Sequence, residues 1–305
     1  MAPDRLRTNL GSIDLRSPLI AASGTVGSVW EWAEVADLRP YGAAVAKSVA
    51  PVEWKGRPAP RIASYGPGML NGIGIQNPGI DAWSVMMDQH MSVLDVPIWG
   101  SAVGETPEEF ALVAKGLVAA GVPVVEVNLS CPNLDDGRMF SLDAGPSREV
   151  IEKVTSAVDV PVGAKLSPNT DRIVEVAGAC LDSGAEFLVL TNTALGFGVD
   201  RKSRRPLLSG GVGGYSGPGL KAIALRCVYE VARAYPKTPI VGCGGVSSGA
   251  DVVEYLLAGA SAVEMGTIHL AEPRAGRRIE KELIKEMDRI DAATVSDLVG
   301  GVVPW

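Results

Sequence analysis

A short polar run near the middle of the chain, Asn128-Leu-Ser-Cys-Pro-Asn133, has the side chains that a catalytic site would need. The apolar run Val122–Val127 comes directly before it and predicts a buried strand that ends at the proline. A strand end holds side chains firmly, while the loop after it admits substrate. The thiol of Cys131 between two carboxamides therefore predicts a site that binds a polar, planar molecule and acts on it. The alternative is that Cys131 is a small buried apolar residue, as many free cysteines are.

Eight apolar segments along the chain are predicted to be strands, and segments of helical period lie between them. The strands are predicted at Leu19–Ser23, Ala43–Val49, Val96–Val103, Val122–Ser130, Pro161–Ser167, Phe187–Thr193, Pro239–Gly245 and Ala262–Thr267. The helices are predicted at Trp30–Leu38, Asp81–Val93, Thr106–Ala120, Ser147–Val158, Thr170–Ser183, Pro218–Tyr235, Ala250–Ala258 and Ile279–Ile290. This alternation predicts an α/β protein, a (β/α)8 TIM barrel formed by one domain over residues 1–305.

The ends of the predicted strands carry most of the unusual residues of the chain. In a barrel they would all meet at the C-terminal rim of the strands, where barrel enzymes place their sites. They are Ser23-Gly24, Lys47-Ser48, Ser101, Asn128 to Cys131, Lys165 to Ser167, Asn192-Thr193, Gly244-Gly245 and Gly266-Thr267. This convergence favours a functional role for Cys131 over a merely buried one.

The glycines after the last two predicted strands, in Gly242-Cys-Gly-Gly245 and Gly266-Thr267, are typical of a phosphate site, because backbone N–H groups in tight turns can surround an anion. Lys47 and Lys165 each end an apolar strand, where a buried ammonium group needs a partner. Either lysine could form a Schiff base, lie beside a flavin ring or extend to solvent. Further carboxamides that can both donate and accept hydrogen bonds come from Asn71, Asn128, Asn133 and Asn192.

The chain has only two histidines, His90 and His269. His90 lies near a predicted helix end and is interpreted as structural, and His269 could at best flank the phosphate. Cys131 is therefore the best candidate for a proton acceptor, with a pKa lowered by nearby lysines. The segment Leu134–Gly145 could close over the site as a lid. The basic loop with Arg201, Lys202, Arg204 and Arg205 is either solvated or a contact for a partner or substrate.

The charge and cysteine pattern excludes several classes of protein. A net charge of −7 argues against nucleic acid or an anionic membrane surface as the main partner. The four cysteines are far apart without a Cys-x-x-Cys pair, so neither a zinc site nor an iron–sulfur cluster is predicted on this chain. No apolar run approaches the roughly 18 residues that span a bilayer. We therefore expect a cytoplasmic protein with no bound metal.

Several motifs, in order along nearly the whole chain, resemble the class 1 dihydroorotate dehydrogenases. The matching segments are Asn71-Gly-Ile-Gly-Ile-Gln-Asn-Pro-Gly79, Asn128-Leu-Ser-Cys-Pro-Asn133, Lys165-Leu-Ser-Pro-Asn169, Asn192-Thr193, Ser216-Gly-Pro218, Gly242-Cys-Gly-Gly245, Ala258-Gly-Ala-Ser-Ala262 and Gly266-Thr267. The resemblance implies a (β/α)8 barrel that holds one FMN and oxidises dihydroorotate to orotate in the de novo synthesis of UMP.

The resemblance also implies a role for individual residues. Cys131 would be the general base that removes the proton from ring carbon 5, while hydride leaves ring carbon 6 for the flavin. The substrate would be held by Lys47, Asn71, Gly72, Ile73, Gly74, Ile75, Asn128, Asn133, Asn192 and Thr193. FMN would be held by Ser23, Lys47, Ser48, Ser101, Asn128, Lys165, Thr191, Gly217, Gly244, Gly245, Gly266 and Thr267, with Lys165 near its pyrimidine ring. Ser101, Gly72 and Thr191 depart from the residues usual in the family.

Within class 1, the segments Pro60–Ala63 and Gly68–Asn71 look more like subclass 1B. That likeness implies a partner subunit with FAD and an iron–sulfur (2Fe-2S) cluster that passes electrons to NAD. The assembly would be a homodimer or a heterotetramer with that subunit. Three alternatives stay open: a fumarate-linked class 1A enzyme, a dihydropyrimidine dehydrogenase acting on uracil or thymine, and a catalytically silent flavin-binding subunit.

Overall fold

The computed structural model describes residues 4–129, 139–303 and 305. Its strands are β1 (Thr8–Leu10), β2 (Ile13–Leu15), β3 (Leu19–Ala21), β4 (Ala43–Val45), β5 (Ile62–Tyr65), β6 (Gly68–Asn71), β7 (Ile98–Ala102), β8 (Val125–Asn128), β9 (Val162–Leu166), β10 (Phe187–Leu190), β11 (Ala194–Gly196), β12 (Gly213–Ser216), β13 (Ile240–Cys243) and β14 (Ala262–Met265). Its α-helices are α1 (Trp30–Ala33), α2 (Ile80–Asp88), α3 (Pro107–Ala119), α4 (Ala144–Thr155), α5 (Ile173–Asp182), α6 (Lys221–Ala234), α7 (Gly249–Ala258), α8 (Ile268–Ala271) and α9 (Ala275–Arg289).

Eight of these strands form a closed parallel barrel in the order β3-β4-β7-β8-β9-β10-β13-β14, with β14 pairing back to β3. Each one lies within a segment predicted to be a strand, so the predicted (β/α)8 barrel is confirmed. Helices lie between the strands along the chain, and this is the connection that parallel neighbours require.

Alternate residues along each barrel strand face opposite sides. One side packs against the helices in the larger apolar cluster, which includes Val125 and Val127 of β8. The other side faces the barrel interior, where Trp99 and Phe187 lie with ring centroids 5.5 Å apart. The antiparallel hairpin of β1 and β2 contributes Leu10 and Leu15 to this interior cluster. The hairpin therefore closes the N-terminal end of the barrel.

A second, antiparallel sheet has the order β11-β12-β6-β5. It is built from two long connections, the one between β4 and α2 and the one between β10 and α6. Asn71 of β6 pairs with both Ile62 of β5 and Gly214 of β12. Residues of this sheet, including Ile62 and Met69, line the cavity at the barrel mouth. The sheet therefore places the Asn71 segment over the C-terminal rim.

The helices follow the predicted segments with shifted ends. Thr106 accepts a hydrogen bond from the N–H of Glu109 and Pro107 is the first residue of α3, as the capping pattern predicts. The predicted helix Trp30–Leu38 is wrong in length, since α1 ends at Ala33 after a single turn. Over the described ranges, none of the helices combines the length and the apolar character needed to cross a bilayer.

Candidate functional site

A cavity of about 430 Å³ lies at the C-terminal ends of the barrel strands, under the second sheet. This size is within the range of cofactor and substrate pockets. Most of the residues predicted for the site line it: Ser23, Lys47, Ser48, Asn71, Ile73, Ile75, Asn128, Lys165, Thr191, Asn192, Thr193, Gly217, Gly244, Gly245, Gly266 and Thr267. Residues from distant parts of the sequence thus meet around one cavity.

Three predicted site residues are not on the cavity wall. Ser101 is fully buried on β7, and its hydroxyl lies 2.9 Å from that of Ser48, so Ser48 stands between it and the cavity. Gly72 donates its N–H to the carbonyl of Arg61 in the neighbouring strand segment. Gly74 has a φ of 69° and packs against the backbone of Arg57. Gly72 and Gly74 therefore shape the segment that carries Ile73 and Ile75 to the wall.

The predicted base, Cys131, and the predicted substrate contact Asn133 lie outside the described residues, as does the first part of the predicted lid, 134–138. Before these residues, β8 ends at Asn128 and the described segment ends at Leu129. Farther along, Phe140 is buried and its ring centroid lies 5.5 Å from that of Phe110 on α3.

The floor of the cavity is formed by three charged residues that reach across the barrel interior. Lys165 of β9 places its ammonium group 2.6 Å from Oε2 of Glu264 on β14 and 3.3 Å from Oε1 of Glu126 on β8. Both carboxylates are completely buried, and the lysine is 5% exposed. These residues face inward because their strand neighbours pack outward against the helices. The sequence predicts that a buried Lys165 needs a partner. The structure provides two, Glu126 and Glu264, which the sequence analysis did not identify.

Burial and ion pairing shift the titration of this cluster. The pKa of Glu126 lies well above its usual value, chiefly because burial penalises the charged carboxylate and secondly because Glu264 is close. Burial alone would lower the pKa of Lys165, but the two carboxylates outweigh it and the lysine pKa is raised. Lys165 is therefore a permanent cation below the cavity.

A line of hydrogen-bonded polar side chains crosses the cavity above this floor. The Ser48 hydroxyl accepts from the Asn128 amide at 3.2 Å, and the Asn128 carbonyl oxygen accepts from the Asn192 amide at 3.2 Å. The Asn192 carbonyl oxygen in turn accepts the backbone N–H of Thr193 at 2.7 Å. These bonds fix the orientation of both amides, so each can present one donor and one acceptor to a ligand.

Glycine-rich turns form one end of the cavity. Gly217, Gly244 and Gly245 all have positive φ, and a Cβ on Gly245 would lie 2.8 Å from the Cβ of Lys221. The turn after Gly245 is held by Asp251, which accepts the N–H groups of Ser247 and Ser248. The backbone of Gly217, Gly244 and Gly245 thus lines the cavity without side chains in the way. Such a cradle, with the Thr267 hydroxyl beside it, suits a phosphate group.

No described thiol or imidazole is suited to act as a base in the cavity. Cys243 lines the cavity, but burial raises its thiol pKa far above the usual value. Burial also raises the pKa of Cys180 to about 12 and raises that of Cys227. His269 is buried with its Nε2 2.9 Å from the Tyr41 hydroxyl, and burial lowers its pKa to about 4. His90 stacks on Trp30, in keeping with its predicted structural role.

Comparison with known proteins decides the family. The family model described as "Dihydroorotate dehydrogenase" matches residues 5–287 of the chain. The chain belongs to the dihydroorotate dehydrogenase family. It is 40% identical over 295 residues to a protein from Geobacter sp. (strain M21) named "Dihydroorotate dehydrogenase B (NAD(+)), catalytic subunit", and the match covers 96% of both chains.

Relatives within the dihydroorotate dehydrogenase family carry two different names. The chain is 39% identical over 302 residues to "Dihydroorotate dehydrogenase A (fumarate)" from Lactobacillus helveticus (strain DPC 4571), with 96% and 97% of the two chains covered. A crystal structure of an Eimeria tenella DHODH in complex with ferulenol has a TM-score of 0.84 at 20% identity and covers 98% of this chain and 89% of that one. At this identity the structural likeness shows the fold alone.

Glu126 and Glu264 are the site residues that sequence reasoning missed in this dihydroorotate dehydrogenase. Each is a single acid between apolar neighbours, in Val125-Glu-Val127 and Val263-Glu-Met265. A charged residue at the centre of a parallel strand must be paired, because burial of a lone charge is costly. The same rule applies to Lys165, which also lies within an apolar strand. Applied to all three residues, it would have matched the two acids to the lysine.

Proposed function

We propose that this member of the dihydroorotate dehydrogenase family holds FMN in the described cavity and oxidises dihydroorotate to orotate there, in pyrimidine synthesis. The observation that carries the proposal is the convergence of Lys47, Asn71, Asn128 and Asn192 on a cavity whose floor is the buried cation of Lys165. A barrel that only provided a scaffold would have no need of such a costly buried cluster.

The residues present fit FMN. Lys165 provides a positive charge under the cavity, where it would stabilise the electron-rich ring of a reduced flavin. At the other end, Gly217, Gly244 and Gly245 line the cavity without side chains, and the turn can lie this close to α6 only with glycine, since a Cβ on Gly244 or Gly245 would meet Ala224 or Lys221 at 2.8 Å. When bound, FMN supplies the hydride acceptor. Ser23, Ser48, Thr191, Gly266 and Thr267 would complete its binding site, and Ser101 would support Ser48.

The substrate would lie between the cofactor and the second sheet. The amides of Asn128 and Asn192 would pair with the cyclic amide groups of the pyrimidine, while Lys47 would attract its carboxylate. Asn71 is oriented toward this region by its bond to the carbonyl of Gly214, at 3.2 Å. Asn133 and the segment with Ile73 and Ile75 are proposed to close the remaining side.

Cys131 is proposed as the general base that takes the proton from ring carbon 5. In the sequence it comes three residues after Asn128, the last residue of β8. Support comes from the described thiols and from His269, whose pKa values are shifted by burial away from the range that a base requires, and from His90, which stacks on Trp30 and is not among the cavity-lining residues.

Electrons from the reduced cofactor are proposed to reach NAD through a partner subunit with FAD and an iron–sulfur cluster. The relative named as a B-type, NAD-linked catalytic subunit supports this proposal. The relative named as the fumarate-linked A enzyme has nearly the same identity, so fumarate is the second candidate acceptor. A homodimer, its heterotetramer with the partner and a cytoplasmic location stay predictions.

A rapid-mixing experiment tests the proposed base. Cys131→Ala should slow the reduction of the bound flavin by dihydroorotate about 100-fold or more, because proton removal from carbon 5 is then unassisted. Cys227→Ala removes a buried thiol on α6, which is not among the cavity-lining residues, and serves as the matched control. A Cys131→Ala protein that reduced its flavin as fast as this control would refute the assignment.

A further inference from the structure

The floor of the cavity has an apparent excess of negative charge. One ammonium group, that of Lys165, faces two carboxyl groups, those of Glu126 and Glu264, and both acids are completely buried. If both were ionised, the floor would carry a net charge of −1 away from solvent. A buried charge without a counter-ion is strongly unfavourable, and such groups commonly become neutral by taking up a proton.

The geometry distinguishes the two acids. Glu264 Oε2 lies 2.6 Å from the ammonium nitrogen of Lys165, whereas the two Glu126 oxygens lie at 3.3 and 3.4 Å. Short contacts of this kind are typical of charge-assisted hydrogen bonds to an ionised carboxylate. Glu264 is therefore the ionised partner of the lysine, and Glu126 is the acid that can be neutral.

An unsatisfied oxygen gives independent evidence for a missing proton. Glu264 Oε1 is buried, and it has no hydrogen-bond donor among the described residues when both acids are taken as ionised. A buried acceptor without a donor is costly and calls for an explanation. A proton on Glu126 supplies the donor, since the Glu126 carboxyl faces the same interior.

We propose that Glu126 is protonated and donates a hydrogen bond to Glu264, so that the floor beneath the cofactor is electrically neutral and Glu126 sets the electrostatic environment of the flavin through Lys165. This rests on the proposed binding of FMN. Glu126 is thus a positioning residue, because it acts on the cofactor through the lysine and its counter-ion.

Among the groups that face Glu126, Lys165 favours the ionised carboxylate and Glu264 favours the protonated one; burial together with Glu264 outweighs the lysine, so the pKa of Glu126 is raised. Lys165 comes from β9, Glu264 from β14 and Cys243 from β13, and burial keeps the thiol of Cys243 protonated. Burial raises the pKa of Glu126 itself. A floor with a charge of −1 would oppose the addition of electrons to a flavin bound in the cavity, whereas a neutral floor would not.

The first test needs no cofactor. Infrared difference spectra of the apoprotein, wild type minus Glu126→Gln, should contain the carbonyl stretch of a protonated carboxyl group. Glu280→Gln is the matched control, since Glu280 is also buried but pairs with Arg277 at 3.3 Å and should contribute only carboxylate bands. Absence of the protonated band in the Glu126 difference spectrum would overturn the proposal.

The second test measures the midpoint potential of the bound flavin. Glu126→Gln replaces a neutral acid by a neutral amide, so the potential should stay close to that of the wild type. The double variant Glu126→Gln with Glu264→Gln removes the one remaining negative charge, and it should favour flavin reduction on the order of tenfold or more. A potential in Glu126→Gln raised toward that of the double variant would show that Glu126 is ionised, against the proposal.

The two tests separate the possible failures. If the protein bound no flavin, the proposed function would fall, yet the infrared spectra would still decide whether Glu126 carries a proton. If the double variant did not fold, the infrared comparison of the single variants would again decide alone.

Discussion

At the scale of single residues, the site depends on Lys165 more than on any other described side chain. Its ammonium group is buried, it lines the cavity, and it contacts both interior acids, Glu126 at 3.3 Å and Glu264 at 2.6 Å. Breaking a buried ion pair by removing one partner is far more costly than breaking a pair at the surface, because the other partner stays buried without compensation. Lys165 therefore has a structural role beside the cofactor role proposed for it.

Lys165→Met should lower the free energy of unfolding of the apoprotein by about 3–5 kcal/mol. Urea unfolding followed by circular dichroism would measure the change. Lys153→Met provides a matched control, because Lys153 pairs with Glu108 at 3.0 Å on the exposed surface and its loss should change stability little. Equal stabilities of the two variants would contradict the role assigned to the buried cluster.

At the scale of elements, the barrel strands were predictable and the second sheet was not. Runs such as Phe187–Leu190 are continuously apolar, as strands covered on both faces must be. The strand Gly213–Ser216 has two glycines, and three of the four residues of Ile62–Tyr65 are exposed. Neither strand has the alternation of apolar and polar residues that indicates a strand with one buried face. Their pairing is set by tertiary contacts around the cavity, which no local pattern contains.

The site was predictable to a similar degree and for similar reasons. Strand-end residues such as Asn128 and Lys165 were found because the barrel topology brings all strand ends to one rim. Ser101 does not line the described cavity, and the sequence could not reveal this, because its depth below Ser48 depends on how far each strand extends. Glu126 and Glu264 were not predicted as site residues, because their partner, Lys165, lies on a different strand from either acid.

The glycine turn after β13 offers a prediction at this scale. Gly245→Ala should weaken retention of FMN, because the added Cβ would enter a space where Lys221 lies 2.8 Å away and would force the cradle to shift. Equilibrium dialysis against FMN would measure the affinity. Gly121→Ala is the control: Gly121 also has a positive φ, but its added Cβ would meet nothing within 4 Å. An affinity for FMN that fell equally in both variants would trace the effect to backbone strain and not to the cradle.

At the scale of the whole molecule, the barrel is closed at one end and functional at the other. The hairpin of β1 and β2 fills the N-terminal end with Leu10 and Leu15, and the charged floor and cavity occupy the C-terminal end. The apolar plug and the candidate site therefore lie at opposite ends of the barrel axis, which is common in this fold.

Leu10→Ala tests this separation. It should lower the free energy of unfolding by about 2–5 kcal/mol, because it leaves a cavity in the barrel interior. The folded protein should nevertheless bind FMN as the wild type does. Leu112→Ala, at an exposed position of α3, should have little effect on stability. A Leu10→Ala protein that was as stable as this control would contradict the placement of the hairpin as a plug.

Under the proposed function, the electron acceptor is a property of the assembly and not of this barrel alone. If the partner subunit carries the path to NAD, the purified chain should accept electrons from dihydroorotate but fail to pass them to NAD. Re-oxidation by fumarate alone would instead assign the chain to the fumarate-linked group.

An anaerobic absorbance titration of the purified, FMN-loaded chain with L-dihydroorotate, with dihydrouracil as a parallel sample, tests the central claim most directly. We expect dihydroorotate to bleach the flavin band and dihydrouracil to leave it unchanged, since Lys47 and the Asn71 segment are proposed to recognise the carboxylate. A flavin that dihydroorotate did not bleach, or that dihydrouracil bleached as well, would contradict the proposed function.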